Sequence, residues 1–271
     1  MNVSAGYIYL VCIAEKINPG YSEVILLDNI LKAAEIIRNA KSVAVLTGAG
    51  ASTESGIPDF RSSSGISKKY DIPSEVILSH SFFMNHTDVF YDYYLNNLIY
   101  PDAKPNECHI ALAEMENLCR LSGVITQNID GLHQKAGSKN VIELHGSVKR
   151  NFCMKCRKQF SLEKICEEKQ NIPSCDKCGG TIKPDVVLYE ESLNSRILND
   201  ALNLVIDADT LLVIGTSLVV YPAAGLLNYF RGNNLIIINL GSTPFDRRAN
   251  VVINDKAGTV LKKIVEELKK H

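Results

Sequence analysis

An apolar strand that runs directly into a glycine-rich loop constrains this chain more tightly than any other feature. Residues 43–61 read Val-Ala-Val-Leu-Thr-Gly-Ala-Gly-Ala-Ser-Thr-Glu-Ser-Gly-Ile-Pro-Asp-Phe-Arg. A strand, such a loop and then a helix bring backbone N–H groups and a helix N-terminus to bear on a phosphate, as in a dinucleotide-binding α/β fold. Gly48 and Gly50 fit the start of the dinucleotide fingerprint, but Thr53 occupies the place of its third glycine, and the next glycine is Gly56. Pro58-Asp59-Phe60-Arg61 follows, an aromatic ring and a cation beyond the phosphate loop. The spacing is that of a nucleotide loop built for something other than ordinary hydride transfer.

The rest of the chain keeps the rhythm of such a fold. Val43–Leu46, Val124–Thr126, Val141–Leu144, Leu211–Ile214 and Leu235–Leu240 are short, continuously apolar runs, the pattern of strands buried on both faces of a parallel sheet. Helical stretches lie between them. Leu27, Ile30, Leu31, Ala34 and Ile37 follow helical spacing within Val24–Arg38, and Cys108–Leu121, Leu193–Val205 and Pro222–Phe230 read as further helices. Leu261, Ile264, Val265 and Leu268 mark an amphipathic helix at the end. This alternation predicts an α/β fold, a doubly wound, Rossmann-like parallel sheet. Two stretches interrupt it: residues 62–102, helical and rich in aromatics, and residues 149–183, short, polar and cysteine-bearing. They are expected to form a smaller inserted module, a helical insertion plus a zinc ribbon. Residues 24–61, 103–148 and 184–271 then make the nucleotide-binding domain, and residues 1–23 an N-terminal extension.

Four of the eight cysteines, Cys153, Cys156, Cys175 and Cys178, form two C-x-x-C pairs with eighteen residues between them. That is the ribbon spacing of a structural zinc site. Four thiolates close the tetrahedron and leave no position for a catalytic water. A redox pair or disulfides are the competing readings, disfavoured by the doubled spacing. Cys108 and Cys119 fall in helical-looking sequence, where a buried thiol acts as a small hydrophobe.

Composition narrows the function classes. With 46% hydrophobic and 22% charged residues, the chain can bury a full core, and its net charge of -1 gives no overall pull toward nucleic acid or anionic membrane. Direct nucleic-acid binding is not expected. Residues 149–183 alone carry nine Lys/Arg against four acids, which reads equally as a steering patch for an acidic partner or as a solvated face. The apolar run from Tyr7 to Ala14 is far shorter than the roughly 20 residues that span a bilayer, and it lacks the flanks of a signal peptide. No membrane association and a cytoplasmic setting are expected.

Three further motifs fall at strand ends, where an open α/β sheet places its ligand crevice. Thr126-Gln127-Asn128-Ile129-Asp130-Gly131-Leu132-His133 offers groups for a carboxamide, a ribose and a water, although such residues also make plain turns. Glu143-Leu144-His145-Gly146 supplies a histidine with the near-neutral pKa wanted of a general base. A lone histidine is more often structural; three motifs converging on one sheet edge argue for a site. Gly215-Thr216-Ser217-Leu218 and Asn239 can reach a second phosphate or ribose, though a turn accounts for either.

Gly-Ala-Gly-Ala-Ser-x-x-Ser-Gly-Ile-Pro-Asp-Phe-Arg, Thr-Gln-Asn-Ile-Asp-Gly-Leu-His, Glu-Leu-His-Gly, the cysteine tetrad, Gly-Thr-Ser-Leu-x-Val-Tyr-Pro and Asn239-Leu240 occur in one fixed order. Together they resemble the sirtuins, the NAD-dependent protein deacylases, over about residues 25–265, and the short core looks like a prokaryotic member. The resemblance implies that NAD serves as co-substrate, contacted by Ala49, Thr53, Phe60 and Arg61, with Phe60 screening the nicotinamide side. It implies Gln127 on the ribose, Ile129 and Asp130 on the nicotinamide carboxamide, Asn128 positioning ribose and water, and His145 as base. Thr216, Ser217, Asn239 and Lys256 or Ala257 would take the adenosine half. Val187, Leu188, Tyr189 and on to Glu190, with Val219, Val220 and Tyr221, would flank an acyl-lysine peptide bound as an added strand. The implied reaction passes the acyl group to ADP-ribose, releasing nicotinamide and O-acyl-ADP-ribose, with zinc purely structural.

Departures from the family pattern are informative. The usual Phe-Gly-Glu is Tyr189-Glu190-Glu191 here, so a glycine that lets a peptide backbone approach closely is missing. Ser62 and Ser67 stand where a glycine and an aromatic are common. Family members that remove acidic acyl groups carry a Tyr and an Arg three residues apart; here those positions are Tyr93 and Asn96, which predicts a preference for uncharged acyl groups. An ADP-ribosyltransferase, a zinc-ribbon binding module with a vestigial nucleotide fold and a dehydrogenase are the competing readings. Asn128, Asp130 and His145 speak against the second.

Overall fold

Burial on both faces turns the short apolar runs into one sheet. A computed structural model of the chain describes residues 19–59, 71–167 and 172–270. Strands β1 (Val43–Thr47), β2 (Leu121–Thr126), β3 (Val141–Glu143), β7 (Thr210–Ile214), β8 (Asn234–Ile238) and β9 (Val251–Ile253) form a parallel sheet in the order β3-β2-β1-β7-β8-β9. Helices α1 (Pro19–Asn39), α5 (Glu107–Leu118) and α9 (Ala257–Leu268) cover one face, against Val43, Val45, Leu212, Ile214, Ile236 and Ile238. Alternate residues of the same strands, Ala44, Leu46, Leu211, Val213, Leu235 and Ile237, pack on the other face against α8 (Ser195–Asp207). Both side-chain sets of each strand are therefore apolar, which is why the runs do not alternate. The helices show the complementary stripe: Ile30, Ala33, Ala34 and Ile37 on α1, and Val260, Leu261, Ile264, Val265 and Leu268 on α9, are buried.

The second module packs beside this sheet. An antiparallel sheet of β4 (Gly146–Cys153), β5 (Gln159–Ser161) and β6 (Ile182–Val186), ordered β5-β4-β6, carries the short α7 (Leu162–Glu167). The helices α2 (Ser74–Ile77), α3 (His80–Asn85) and α4 (Thr87–Asn97) lie against it. The aromatics noted in sequence are this module's core, with Phe83 edge-on to Phe90 at 4.8 Å between ring centroids. The Tyr91 hydroxyl donates to the Ile182 carbonyl at 2.5 Å, so its ring is buried without leaving its polar end unmatched. Of the basic stretch 149–183, Arg150 pairs with Glu143 and Asp185, Lys158 with Asp176 and Lys183 with Glu191, so part of its charge is answered locally.

Several elements differ from expectation in ways that have local causes. The stretch Cys108–Leu121 is helical only to Leu118, because the Arg120 carbonyl accepts from Val43 N–H and draws the chain alongside β1. Cys108 is buried in α5 as expected; Cys119 lies just beyond it. The stretch Leu193–Val205 begins its helix at Ser195, where the Asn194 side chain accepts from the N–H groups of Arg196 and Ile197. Pro222–Phe230 is not an α-helix: residues Ala223–Asn228 form a 3-10 turn around Gly225, a poor α-helix former. The run Leu235–Leu240 leaves the sheet after Ile238, where Asn239 Nδ2 donates to the Gly241 carbonyl at 2.7 Å and starts a turn. α6 (Leu132–Ala136) and β9 are too short for periodicity to reveal. Among the described residues no helix is long and apolar enough to cross a membrane.

Candidate active site

Successive strands β1, β2 and β3 run outward on one side of β1, and the chain then returns to place β7 on its other side. Such a reversal leaves a crevice between the two strands' carboxyl ends. Here those ends are Thr47 and Ile214, and the loops that follow them lean on one another. Gly48 N–H donates to Ile214 O at 3.0 Å and Gly50 N–H to Gly215 O at 2.8 Å. A Cβ on Gly50 would lie 2.7 Å from Gly215 Cα. Gly215 itself has φ +60, and a Cβ there would sit 2.5 Å from the Gly50 carbonyl carbon. Gly215→Ala should therefore destabilise the protein by about 2–4 kcal/mol, from left-handed strain plus overpacking. Chemical denaturation reads this directly; an unchanged midpoint would mean that the two loops yield freely.

The glycine loop does not run straight into an α-helix, contrary to the sequence expectation. It forms two 3-10 turns, Ala49–Ala51 and Thr53–Ser55, and Gly56 then reverses the chain at φ +82 before Pro58, which has no N–H to continue a helix. Glu54 leaves this loop to accept from Gly258 N–H at 2.7 Å, placing a carboxylate at the N-terminus of α9. Phe60, Arg61, Ser62 and Ser67 lie outside the described residues.

A cavity of about 570 Å³ fills the crevice, a volume in the range of small-molecule and cofactor sites. Ala49 and Thr53 of the loop line it, together with Gln127, Asn128, Ile129 and His145. Thr216, Ser217, Asn239, Lys256 and Ala257 line its other side, after β7, β8 and β9. Val187, Leu188, Tyr189, Val220 and Tyr221 complete it; Val219 does not, and projects into solvent.

Behind the cavity wall a polar cluster fixes these groups. Asn128 Nδ2 donates to Gly48 O and to Ser52 Oγ, both at 3.0 Å, tying the end of β2 to the glycine loop. Ser52 Oγ donates in turn to Asp130 Oδ2 at 2.7 Å, and Asp130 Oδ1 accepts Leu132 N–H at 2.8 Å. Asp130, itself partly exposed, is thus fixed beside Ser52 without lining the cavity. His133 is buried, its Nε2 3.0 Å from Thr47 Oγ1, and desolvation pushes its pKa down to about 3, so it is a neutral part of the core. Ser52 was not singled out in sequence; a small polar residue in a glycine loop gives no sign that it bridges Asn128 and Asp130. Leu98, at the end of α4, also lines the cavity from far away in sequence.

His145 stands between β3 and β4 at the cavity edge. Its Nδ1 lies 2.9 Å from the Gln127 carbonyl, an acceptor only, so Nδ1 carries the proton and the neutral ring keeps its lone pair on Nε2. Desolvation lowers its pKa, opposed by the bond to Gln127. A half-buried imidazole, neutral near pH 7 and with its tautomer fixed, is equipped to accept a proton. His145 O also accepts Val187 N–H at 3.0 Å, linking it to the segment beyond β6.

The four cysteines converge at one end of the antiparallel sheet. Their sulfurs lie within 4.8 Å of one another, with Cys153 Sγ and Cys178 Sγ at 3.4 Å and Cys156 Sγ and Cys175 Sγ at 3.6 Å. A tetrahedron with Zn–S bonds of about 2.3 Å has edges of about 3.8 Å, so the cluster is positioned to bind a structural metal ion such as zinc.

The Sir2 family model matches residues 48–222, well over half of the chain. The chain belongs to the Sir2 family. Among its relatives, the NAD-dependent protein deacetylase of Clostridium acetobutylicum is 52% identical over 245 residues, covering 89% of this chain and 100% of the relative. That of Clostridium tetani is 55% identical over 237 residues, covering 86% and 96%. A crystal structure of a Sir2 homologue–NAD complex matches with a TM-score of 0.82 at 37% identity, covering 88% of this Sir2 chain and 93% of the other. A Sir2–p53 peptide–NAD+ structure matches with a TM-score of 0.80 at 38% identity, covering 89% and 98%.

Proposed function

We propose that this sirtuin is an NAD-dependent protein-lysine deacetylase that transfers the acyl group to ADP-ribose, with His145 as general base. The observation that carries the reading is the fixed tautomer of His145, which leaves Nε2 free at a cavity bounded by the glycine loop and by the segment after β6. When bound, NAD supplies a ribose that gives up nicotinamide and takes the acyl group, leaving O-acyl-ADP-ribose. Ala49 and Thr53, with Phe60 and Arg61, hold the pyrophosphate and nicotinamide side. Gln127, whose Nε2 donates to Thr216 Oγ1 at 3.0 Å, is placed for the ribose. Asn128 orients ribose and water from its anchor on Gly48 and Ser52. Ile129 and Asp130 take the carboxamide, each Asp130 oxygen keeping a further lone pair beyond the bonds from Ser52 and Leu132. Thr216, Ser217, Asn239, Lys256 and Ala257 hold the adenosine half. The peptide lies extended between Val187–Glu190 and Val219–Tyr221, its main chain adding a strand. Zinc on the four cysteines supports the fold only.

Mass spectrometry of the products from NAD and a panel of acyl-lysine peptides tests this. Nicotinamide, O-acyl-ADP-ribose and free lysine peptide should appear in equal amounts. Nicotinamide release independent of the acyl peptide, or growth of NADH absorbance, would contradict it.

The acyl end of the site supports a preference for uncharged groups. Tyr93 is buried in the helical module, and Asn96 is exposed with its Nδ2 bonded to Asp92. The residue α4 sends to the cavity is Leu98. A succinyl carboxylate brought here meets no cation among the described residues of this wall, so kcat/KM for a succinyl peptide should fall at least about tenfold below that for its acetyl counterpart. Equal turnover of the two peptides would refute the assignment of this wall.

A further inference from the structure

The lip of the peptide cleft departs from the family pattern at Glu190, where family members usually have glycine. The lip is held to the helical insertion: Tyr189 N–H donates to Leu78 O at 3.0 Å, and His80 N–H to Tyr189 O at 2.9 Å. Glu190 keeps the left-handed backbone that a glycine takes easily, with φ +74. At this position the side chain adds a carboxylate at the cavity edge. Its Oε2 accepts Ser81 N–H and its Oε1 accepts Ser81 Oγ–H, both at 2.9 Å.

We infer that Glu190 makes this cleft select acyl-lysine peptides that carry a cationic side chain beside the acyl-lysine. The inference rests on the deacetylase reading above. Glu191, the next residue, has its charge answered by Lys183 Nζ at 3.1 Å and faces His80 Nδ1 at 2.8 Å. Glu190 is answered by an amide and a hydroxyl, which orient the carboxylate without neutralising it. A second acid stands close by: burial first, and then the charge of Glu75, raises the Tyr189 phenol pKa. Among the described residues that line the cavity, Lys256 is the sole Lys or Arg. It follows β9 at one edge of the parallel sheet, whereas the lip is joined to His145, which follows β3 at the other. Among the described residues, the peptide end of the cavity therefore carries negative charge. Tyr189, Val220 and Tyr221 line it as well, exposing apolar surface on which the aliphatic stem of a Lys or Arg can lie while its head meets Glu190.

The test compares acetyl-lysine peptides bearing Arg, Gln or Glu at each flanking position in turn. At one position or more, kcat/KM should run Arg over Gln over Glu, with about two- to fivefold between Arg and Glu, mainly through KM, the range of an exposed ion pair. The ratio should shrink as ionic strength approaches about 1 M, where the Debye length is about 3 Å. Glu190→Gln should bring the ratio close to one, and Glu190→Lys should invert it. Equal turnover of the Arg and Glu peptides by the unaltered protein, or a ratio that survives Glu190→Gln, overturns the inference. If the variants do not fold, a ratio in the unaltered protein that ignores salt overturns it as well. Absence of NAD-dependent turnover of every peptide is a different result: it removes the deacetylase reading, and this inference with it.

Discussion

Replacing His145 with alanine should lower kcat for deacetylation by about 10²–10⁴-fold, the usual worth of the general base proposed there. Folding should be kept, because the imidazole is half-buried at a cavity edge and belongs to no apolar cluster. Its loss leaves the Gln127 carbonyl facing the cavity, where water reaches it. The pH dependence carries a second, signed expectation. A base acts in its neutral form, and burial holds the His145 pKa below the ordinary 6.5. Neutral imidazole therefore persists to lower pH than for a free histidine, and the acid limb of kcat/KM should lie below pH 6.5 and vanish in the alanine variant. Steady-state kinetics across pH, with the melting temperature as control for folding, decide the matter. Activity within threefold of the unaltered protein would remove His145 from its assigned role.

Replacing Cys153 with serine has the opposite signature, a large loss of stability with no direct effect on the reacting groups. Cys153 closes β4, and its backbone N–H and O bond to Lys158 and Arg157 in the turn that presents Cys156. Cys175 is likewise bonded to Gly179 and Gly180 in the turn that presents Cys178. Among the described residues between these turns, Ile165 is the one fully buried large side chain, so metal–thiolate bonds supply order that packing does not. Bound zinc, read by elemental analysis, should fall from one per chain toward none, and Tm should drop by roughly 10 °C or more. Activity should fall too, because β4 starts one residue after His145 and pairs with β6, which leads into the peptide lip. A variant that lost its zinc at an unchanged melting temperature would show that the module stands without the metal.

The glycine loop shows how far sequence reaches. Gly48 and Gly50 mark a nucleotide crevice because close backbone approach restricts the residue type itself. The cysteine tetrad was legible for the same reason, since coordination chemistry fixes both residue type and spacing. His145 was legible as a histidine at a strand end, but its protonation was not: the bond from Nδ1 to the Gln127 carbonyl joins residues that only folding makes neighbours. Ser52 and Leu98 gave no signal. Neither has a distinctive spacing, and each acts through contacts between distant segments.

Glu190 illustrates the remaining gap. As a letter it was a lost glycine, and the expectation concerned how closely a substrate peptide's backbone can approach. In the fold it adopts φ +74 while Ser81, more than a hundred residues away, binds its carboxylate, so the lip carries a held charge. By itself, the sequence of this chain determined the doubly wound sheet, the crevice, the metal ligands and the histidine, because periodicity, glycine and thiolate spacing are properties of short segments. Only the tertiary structure decided which nitrogen of His145 is free, that Ser52 binds Asp130, and where the charge of Glu190 lies, because those are set by hydrogen bonds across loops that converge only when the sheet is assembled.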